Sequence, residues 1–410
     1  MATTLILDNG ASTIKVNTAD CTEPKIVTNA IVRGRNDRRF FIGDQLDDCT
    51  DFSSLFYRLP FERGYLTNWE VERPVWNRLF GQVLKVDPKQ TRLLITEPCF
   101  NLPNIQEAYD QIIFEEYEFA SCYRTTAPQL CIYNDLAELF GDQAGSAPDC
   151  AVVVDSGYSF THIVPFFKGK PVTKAIKRIN VGGKLLTNHL KETVSFRYYD
   201  MMEETYIINQ VKEDCCYVSK NVYEDLNICR KPYQENTIVQ EYVLPDYTTT
   251  MRGHVRPKQG RKIATSRLAT DRSSEQILSM NNERFMIPEI LMHPSDIGIQ
   301  QAGIPEAIIQ SINECSPELH GLMYANILLV GGNARLPGYQ DRILSELQTL
   351  APSEYLVRVA TPPNPVEYAW KGGQTFVSRS SKANLQKHLV QRKEYLEHGS
   401  DICRRKFGND

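Results

Sequence analysis

Two short stretches hold residue types whose spacing could do chemistry. In LILDNGASTIK, Leu5 to Lys15, an apolar run ends in Asp8, Asn9 and Gly10 follow, and Lys15 closes the returning segment. In VVVDSGYSFTH, Val152 to His162, β-branched residues lead to Asp155, then Ser156 and Gly157. A polyphosphate carries several negative charges and needs backbone N–H donors at close range. Glycine turns supply them because no Cβ blocks the approach. A metal bridging phosphates needs carboxylates, usually through water, a task that suits Asp8 and Asp155, one per stretch. Lys15 would add a cation. Gly331-Gly332, after the apolar run in ANILLVGG, would let a flat base or its ribose pack against backbone. Each feature alone has a plainer reading, since an Asp or a Gly pair often serves only its own turn. Together they describe a cleft that grips a nucleotide from two sides.

Elements must hold these residues. Both stretches read as β-hairpins turning at Asp-x-Gly. Two such hairpins a domain length apart suggest two related α/β units, each aiming its turn at a shared cleft. TRLLITEP reads as a buried strand, followed by helical spacing in NIQEAYDQIIFEEYEF. TNWEVERPVWNRLF reads as a helix with a Thr/Asn cap and Val71, Val75 and Leu79 on one face. NVGGKLLTNHLKETV reads as a glycine turn into a helix, and HPSDIG as a loop. GIPEAIIQSINE sets Pro305 and Glu306 where a first helical turn favours them. GDQAGSAPD, Gly141 to Asp149, is the expected boundary.

Composition narrows the classes. The chain has 410 residues, 42% hydrophobic and 23% charged, with a net charge of −4. That charge argues against general attraction to nucleic acid or membrane. No apolar run reaches the ~20 residues of a membrane helix, and the N-terminus lacks a signal-peptide pattern, so a soluble intracellular protein is expected. The eleven cysteines show no zinc spacing and read as reduced, mostly buried thiols. His162 and His189 read as core or hydrogen-bonded residues. RGHVRPKQGRKIATSRLATDR, Arg252 to Arg272, holds seven Lys/Arg against one Asp. It reads either as a mobile solvated loop or as a contact for DNA, RNA or an acidic partner.

These residues carry a resemblance. LDNGASTIK and VVDSGYSFTH resemble the two phosphate loops of the actin family. ITEP, IIFEEYEF, VGGKLLTNHL, VKEDCCYV, LPD, NERFMIPE, LLVGGNARLPG, YAWKGG and RKEYLEHG follow in actin's order, and GYLTNW matches the start of an actin helix. The resemblance implies an actin-like ATPase fold: two related, ribonuclease H-like α/β lobes around a nucleotide cleft. The first lobe is expected at 1–149 plus about 340–410, with a reduced second subdomain. The second is expected at 150–339, with a basic insertion at about 252–279. Within the family, FYRLPFERGYLTNW, INVGGKLLTNHLKETVSFR and HPSDIGIQQAGIPEAI are similar to the sixth, nuclear, actin-related subfamily. That likeness implies a non-catalytic structural subunit of SWR-type remodellers, which exchange nucleosomal histones for the Z-type variant and affect transcription. Its implied partners are a remodelling ATPase, a small zinc-finger subunit and the nucleosome or its histones, with DNA a candidate through 252–272. Its implied location is the nucleus, with some cytoplasmic pool.

Carried over by residue, the resemblance assigns Asp8 and Asp155 to the metal region and Lys15 to the phosphates. Gln129 falls to water positioning and His162 to the hydrolytic site. Lys212, Glu213, Gly331 and Gly332 fall to the nucleoside. The departures are Ser12 for the first loop's second glycine, and Tyr158 and Ser159 for an acid and a glycine in the second. They imply that binding of ATP or ADP, with magnesium, outlived hydrolysis, leaving Gln129, Asp155 and His162 as vestiges. RGRNDRRFFIGDQLDD leaves little room for actin's long subunit-docking loop, so heteromeric assembly is expected rather than homopolymers. The alternatives are a filament-forming cytoskeletal ATPase, a small-molecule kinase of the same superfold, and a heat-shock-type chaperone, which would need a further domain.

Overall fold

The computed structural model describes residues 3–35, 39–140, 148–256 and 275–408. Two six-stranded sheets dominate it. The first runs Val390–Gln391, Ser121–Thr126, Arg92–Glu97, Thr4–Asn9, Thr13–Thr18, Lys25–Thr28 in spatial order. The second runs Lys170–Pro171, Thr161–Phe167, Cys150–Ser156, Ile327–Val330, Val359–Ala360, with Lys177–Ile179 also on Thr161–Phe167. In each sheet a hairpin's first strand pairs antiparallel with its second and parallel with a later strand. Thr4–Asn9 lies beside Arg92–Glu97, and Cys150–Ser156 beside Ile327–Val330. The two lobes thus repeat one topology.

Apolar residues on both faces of the first strands reflect burial on both sides. Leu5 and Leu7 enter a core with Trp76 and Ile95, while Ile6 enters another with Leu94 and Trp370. Val152 and Val154 join the second lobe's own core, while Ala151 and Val153 join Ile6 and Leu94. One core is therefore shared by both sheets and forms the floor between the lobes. Period-two alternation is what lets a single strand serve two cores.

The helix in the TNWEVERPVWNRLF segment spans Trp69–Arg78 and continues through one wide turn, Leu79–Val83. Asn68 stands at its start but makes no capping bond there, unlike the expected cap. HPSDIG holds a short 3-10 turn, Pro294–Ile297, closed by left-handed Gly298, not a plain loop. The second lobe also runs later than about 339. Helix Tyr339–Leu350 buries Tyr339, Ile343 and Leu347 in its core, and Val359–Ala360 extends its sheet. Of the expected boundary, Gly141–Ala147 lies outside the described residues.

The basic insertion is structured at both ends. His254–Arg256 and Ile277–Met280 flank Gln240–Val243 in a three-stranded sheet, because Tyr242, Leu278 and Met280 supply buried apolar area. Residues 257–272 of that segment lie outside the described ones. No described helix is long and apolar enough to cross a membrane. Where the resemblance implied a reduced subdomain, Ile31–Arg33 pairs with Phe40–Ile42 and Phe56–Arg58 in a small sheet.

Candidate functional site

The hairpin turns meet at a cavity of about 580 Å³ between the lobes. In the first hairpin Asp8 pairs in register with Lys15. Asp8 Oδ1 accepts from the Thr96 hydroxyl at 2.8 Å, and Lys15 Nζ lies 3.7 Å from Asp8 Oδ2. A Cβ on Gly10 would sit 2.6 Å from the Thr13 carbonyl oxygen, so the turn closes only with glycine there. Asn9 borders the cavity, but its carboxamide donates to Glu72 Oε1 at 2.8 Å. Burial pushes that Glu72 carboxyl up to about 7. Asn29 donates to the Gly10 carbonyl at 3.1 Å. The first turn is thus held from behind by buried amides.

The second hairpin faces it. Asp155 lies in register with His162. Loss of hydration, then the nearby Asp8 charge, raise the Asp155 carboxyl to about 6, against the opposing pull of Lys15. Two carboxylates sharing one ammonium form a site short of positive charge, the donor set that suits a hydrated cation. Gly331 fits against this strand at φ 90°, where a Cβ would meet the Ser156 carbonyl at 2.3 Å and Asp155 Oδ1 at 2.9 Å. Gly332, with open space around it, faces the cavity. His162 also lines the cavity. Burial, then Arg178, lower its pKa to about 3, and its Nε2 has no hydrogen-bond partner among the described residues. A neutral imidazole with a free nitrogen and two glycine cradles fit a polar ligand, and the carboxylate pair fits a cation. Among the described residues no group of three or more His, Cys, Asp or Glu is positioned to hold a metal ion.

Helix Thr205–Cys215 supplies the far wall through Asn209, Lys212 and Glu213. Their i, i+3, i+4 spacing puts them on one face, a signal that INQVKED carried for Asn209 but that the sequence reading missed. Lys212 Nζ is buried and donates to Thr187 Oγ1 and Asn209 Oδ1, each at 2.9 Å, and to the Gly183 carbonyl at 3.3 Å. Its burial lowers its pKa. It braces the wall as well as lining it.

Two assigned residues stand apart from the cavity lining. Ser156 is fully buried, sharing a hydrogen bond with Thr161 Oγ1 at 2.8 Å and accepting from Asn333 at 3.0 Å. It ties the turn together. Gln129 donates its carboxamide to the Gly169 carbonyl at 3.1 Å. The cavity surface on that short helix, Ala127–Cys131, is instead Ala127, Pro128 and Cys131. Tyr158 and Ser159 do line the cavity, and burial raises the Tyr158 phenol to about 12. Gly182 lets helix Gly183–Arg197 abut this turn, since a Cβ there would sit 2.6 Å from the Tyr158 carbonyl oxygen. The Gly183 and Lys184 N–H groups are taken up by the Gly157 and Tyr158 carbonyls.

Comparison with known proteins bears on this geometry. The actin family model matches residues 1–408. The chain is 43% identical to actin-like protein ARP6 of Cryptococcus neoformans over 418 residues, covering 99% of this chain and 84% of that protein. It is 39% identical to actin-related protein 6 of Drosophila melanogaster, covering 96% and 97%. It is 33% identical to actin-related protein 6 of Dictyostelium discoideum, covering 98% and 94%. Paired hairpins around one cleft, a repeated lobe topology and a match along nearly the whole chain lead to one conclusion: this protein belongs to the actin family.

Proposed function

We propose that the protein is a non-catalytic structural subunit of an SWR-type chromatin remodelling complex that exchanges nucleosomal histones for the Z-type variant, affecting transcription. In this reading it binds ATP or ADP in the cleft and does not turn ATP over. Asp8 and Asp155 hold magnesium through water, Lys15 and the Gly10 and Gly157 turns face the phosphates, and Lys212, Glu213, Gly331 and Gly332 face the nucleoside. The bound magnesium would neutralise phosphate charge.

The observation that carries the reading is the cavity surface that the Ala127–Cys131 helix presents. Hydrolysis of a phosphoanhydride needs a water held in line and developing charge met by fixed donors. Ala127, Pro128 and Cys131 offer no polar side chain for that water other than a thiol, and Gln129 is committed to Gly169. Burial raises the Cys131 thiol well above its usual pKa, which leaves it a poor base. Small displacements of such a water cost large rate factors. The assembly role draws on the subfamily-like motifs and on relatives named actin-related protein 6.

Affinity purification from nuclear extract at moderate salt, with partners identified by mass spectrometry, tests the assembly. A large remodelling ATPase, a small zinc-finger protein and Z-type histones are expected in near-fixed ratio. Recovery of the chain alone, or with cytoskeletal proteins, refutes the role. A single-turnover assay with γ-labelled ATP and excess protein tests the chemistry. Phosphate release no faster than in protein-free buffer is expected, and faster release overturns the non-catalytic reading.

A further inference from the structure

Behind the first hairpin turn lies a buried acid that the nucleotide reading does not use. Glu72 sits inside helix Trp69–Arg78 and is wholly shielded from solvent. Its Oε1 accepts from Asn9 Nδ2 at 2.8 Å and from Asn29 Nδ2 at 3.5 Å. Those two residues hold the turn. The Asn9 N–H donates to Thr96 Oγ1 at 2.9 Å, and the same hydroxyl donates to Asp8. Asn29 spans the turn, donating from its side chain to the Gly10 carbonyl at 3.1 Å and from its backbone to the Ser12 carbonyl at 2.9 Å. Asn9, Gly10 and Ser12 all line the cavity. Two carbonyl oxygens of the turn are thus engaged by Asn29 and not left bare beside a polyanion.

The hydrogen bonds around Glu72 do not balance for a carboxylate. Glu72 Oε2, Asn9 Oδ1 and Asn29 Oδ1 are buried acceptors without a partner among the described residues. The Trp76 indole N–H, one turn along the helix, acts on the acid but also completes no hydrogen bond. Three acceptors therefore face this one donor. A proton on Oε2 turns an acceptor into a donor and leaves two of each. Turning the Asn29 carboxamide over would lose the Gly10 bond, and turning Asn9 over would set oxygen against oxygen. Charge does not rescue the carboxylate either. Arg73, next in sequence, pairs with Glu116 at 3.0 Å, and Lys15 pairs with Asp8. The titratable groups that face Glu72 from the packed elements are Tyr109, on helix Pro103–Gln111, and Tyr117 beyond it. Burial raises both phenols, so both are uncharged near neutrality. A lone buried carboxylate is far costlier than a buried neutral acid. Loss of hydration accordingly outweighs the pull of Asn9, Asn29 and Trp76 and holds the Glu72 carboxyl at about 7.

We infer that Glu72 is a positioning residue that works as a neutral acid: its proton completes the Asn9–Asn29 bracket behind the first turn, and loss of that proton weakens the cavity's hold on a polyphosphate. The second half rests on the reading that the cavity takes a nucleotide. Ionisation acts on the turn in two ways. It sets a negative charge behind the phosphates. It also draws on Asn29 Nδ2, which Glu72 shares with the Gly10 carbonyl, because a charged acceptor binds a donor about twice as strongly as a neutral one.

The proton is read without any variant by carbon-13 NMR of the nucleotide-free full chain labelled at the glutamate side-chain carboxyl. One glutamate titrating with a midpoint near pH 7 is expected, and Asp155 is silent in this label. Glutamates that all titrate in the ordinary range overturn the neutral acid. Glu72→Gln, which keeps the shape and a fixed N–H donor, assigns the signal by its loss. Urea unfolding gives a second measure of the same proton. Folded Glu72 keeps its proton between 4.5 and about 7 while the unfolded chain has lost it, so the wild type weakens as pH rises through that window. Relative to Glu72→Gln, its unfolding constant should grow by about fiftyfold from pH 5 to pH 8, and a constant ratio overturns the proposal. Equilibrium titration with a fluorescent ATP analogue in excess magnesium, at pH 6 and pH 8, tests the coupling. The wild type should lose about fivefold more affinity than Glu72→Gln over that range, the scale of one charge acting through several layers of protein. Asp155 titrates in both proteins and cancels. Equal pH dependence overturns the coupling. A wild type that binds no ATP at either pH overturns the nucleotide reading and the coupling with it, while the glutamate midpoint still decides the buried proton.

Discussion

Asp155 bears the electrostatic strain of the site. Its folded pKa, about 6, lies above the ordinary 3.8. Between those values the folded protein keeps a proton that the unfolded chain has lost, so stability falls as pH rises through that window. The full penalty, at most about 3 kcal/mol for a shift of this size, is present above the folded pKa. Asp155→Asn should therefore stabilise the nucleotide-free protein by about 1–3 kcal/mol at neutral pH and by little near pH 4. Urea denaturation at the two pH values checks it, and an equal effect at both would exclude ionisation as the cause. Gln129 gives a contrasting case. Gln129→Ala should cost about 1 kcal/mol through the lost bond to Gly169, with nucleotide affinity, read by equilibrium titration, unchanged.

At the scale of elements, helix Tyr368–Arg379 sets the cavity wall from behind. Gly372 lets it approach the Ala127–Cys131 helix so closely that a Cβ would sit 1.8 Å from the Leu130 carbonyl oxygen. Gly373 brings it against Ile6, with 3.0 Å left for a Cβ. Helix propensity alone would reward Gly372→Ala by about 1 kcal/mol. The contact with backbone reverses the sign, and a net loss of roughly 2–3 kcal/mol is expected. Thermal and chemical unfolding of the variant measure it, and a gain in stability would mean that the two helices separate without cost.

For the molecule as a whole, burial governs reactivity and assembly. Eight of the eleven thiols are buried and Cys21, Cys49 and Cys229 are partly covered. Burial raises the buried Cys99, Cys216 and Cys403 thiols, the first to about 12. A thiol reagent should thus label no more than three cysteines in the native protein and all eleven after unfolding. The stretch where the resemblance placed actin's docking loop is folded, in its described residues, into a small sheet pressed on Tyr206. Light scattering with ATP and magnesium should stay at baseline as concentration rises, and steady growth would bring back the filament reading.

The sequence by itself determined the two hairpins, the two-lobe α/β fold and, among the cavity's residues, the charged and glycine positions Asp8, Gly10, Lys15, Asp155, Gly157, Gly331 and Gly332. Those follow from local rules: alternation of apolar residues writes a strand, and glycine beside an acid writes a turn that polar ligands can approach. Lys15, Asp155 and Gly331 were legible because their own backbone fixes where they point. Tertiary structure alone decided the rest. Whether Gln129 faces the cleft depends on the Gly169 carbonyl from the other lobe, and Ser156 turns inward because Thr161 and Asn333 meet it there. Helix Tyr339–Leu350 joins the second lobe because that core had room for Tyr339, Ile343 and Leu347. The grip of Ser54 and Phe52 on Glu204 and Tyr206 joins residues about 150 positions apart. No local pattern encodes such a contact, since its energy exists only once both lobes have folded and met.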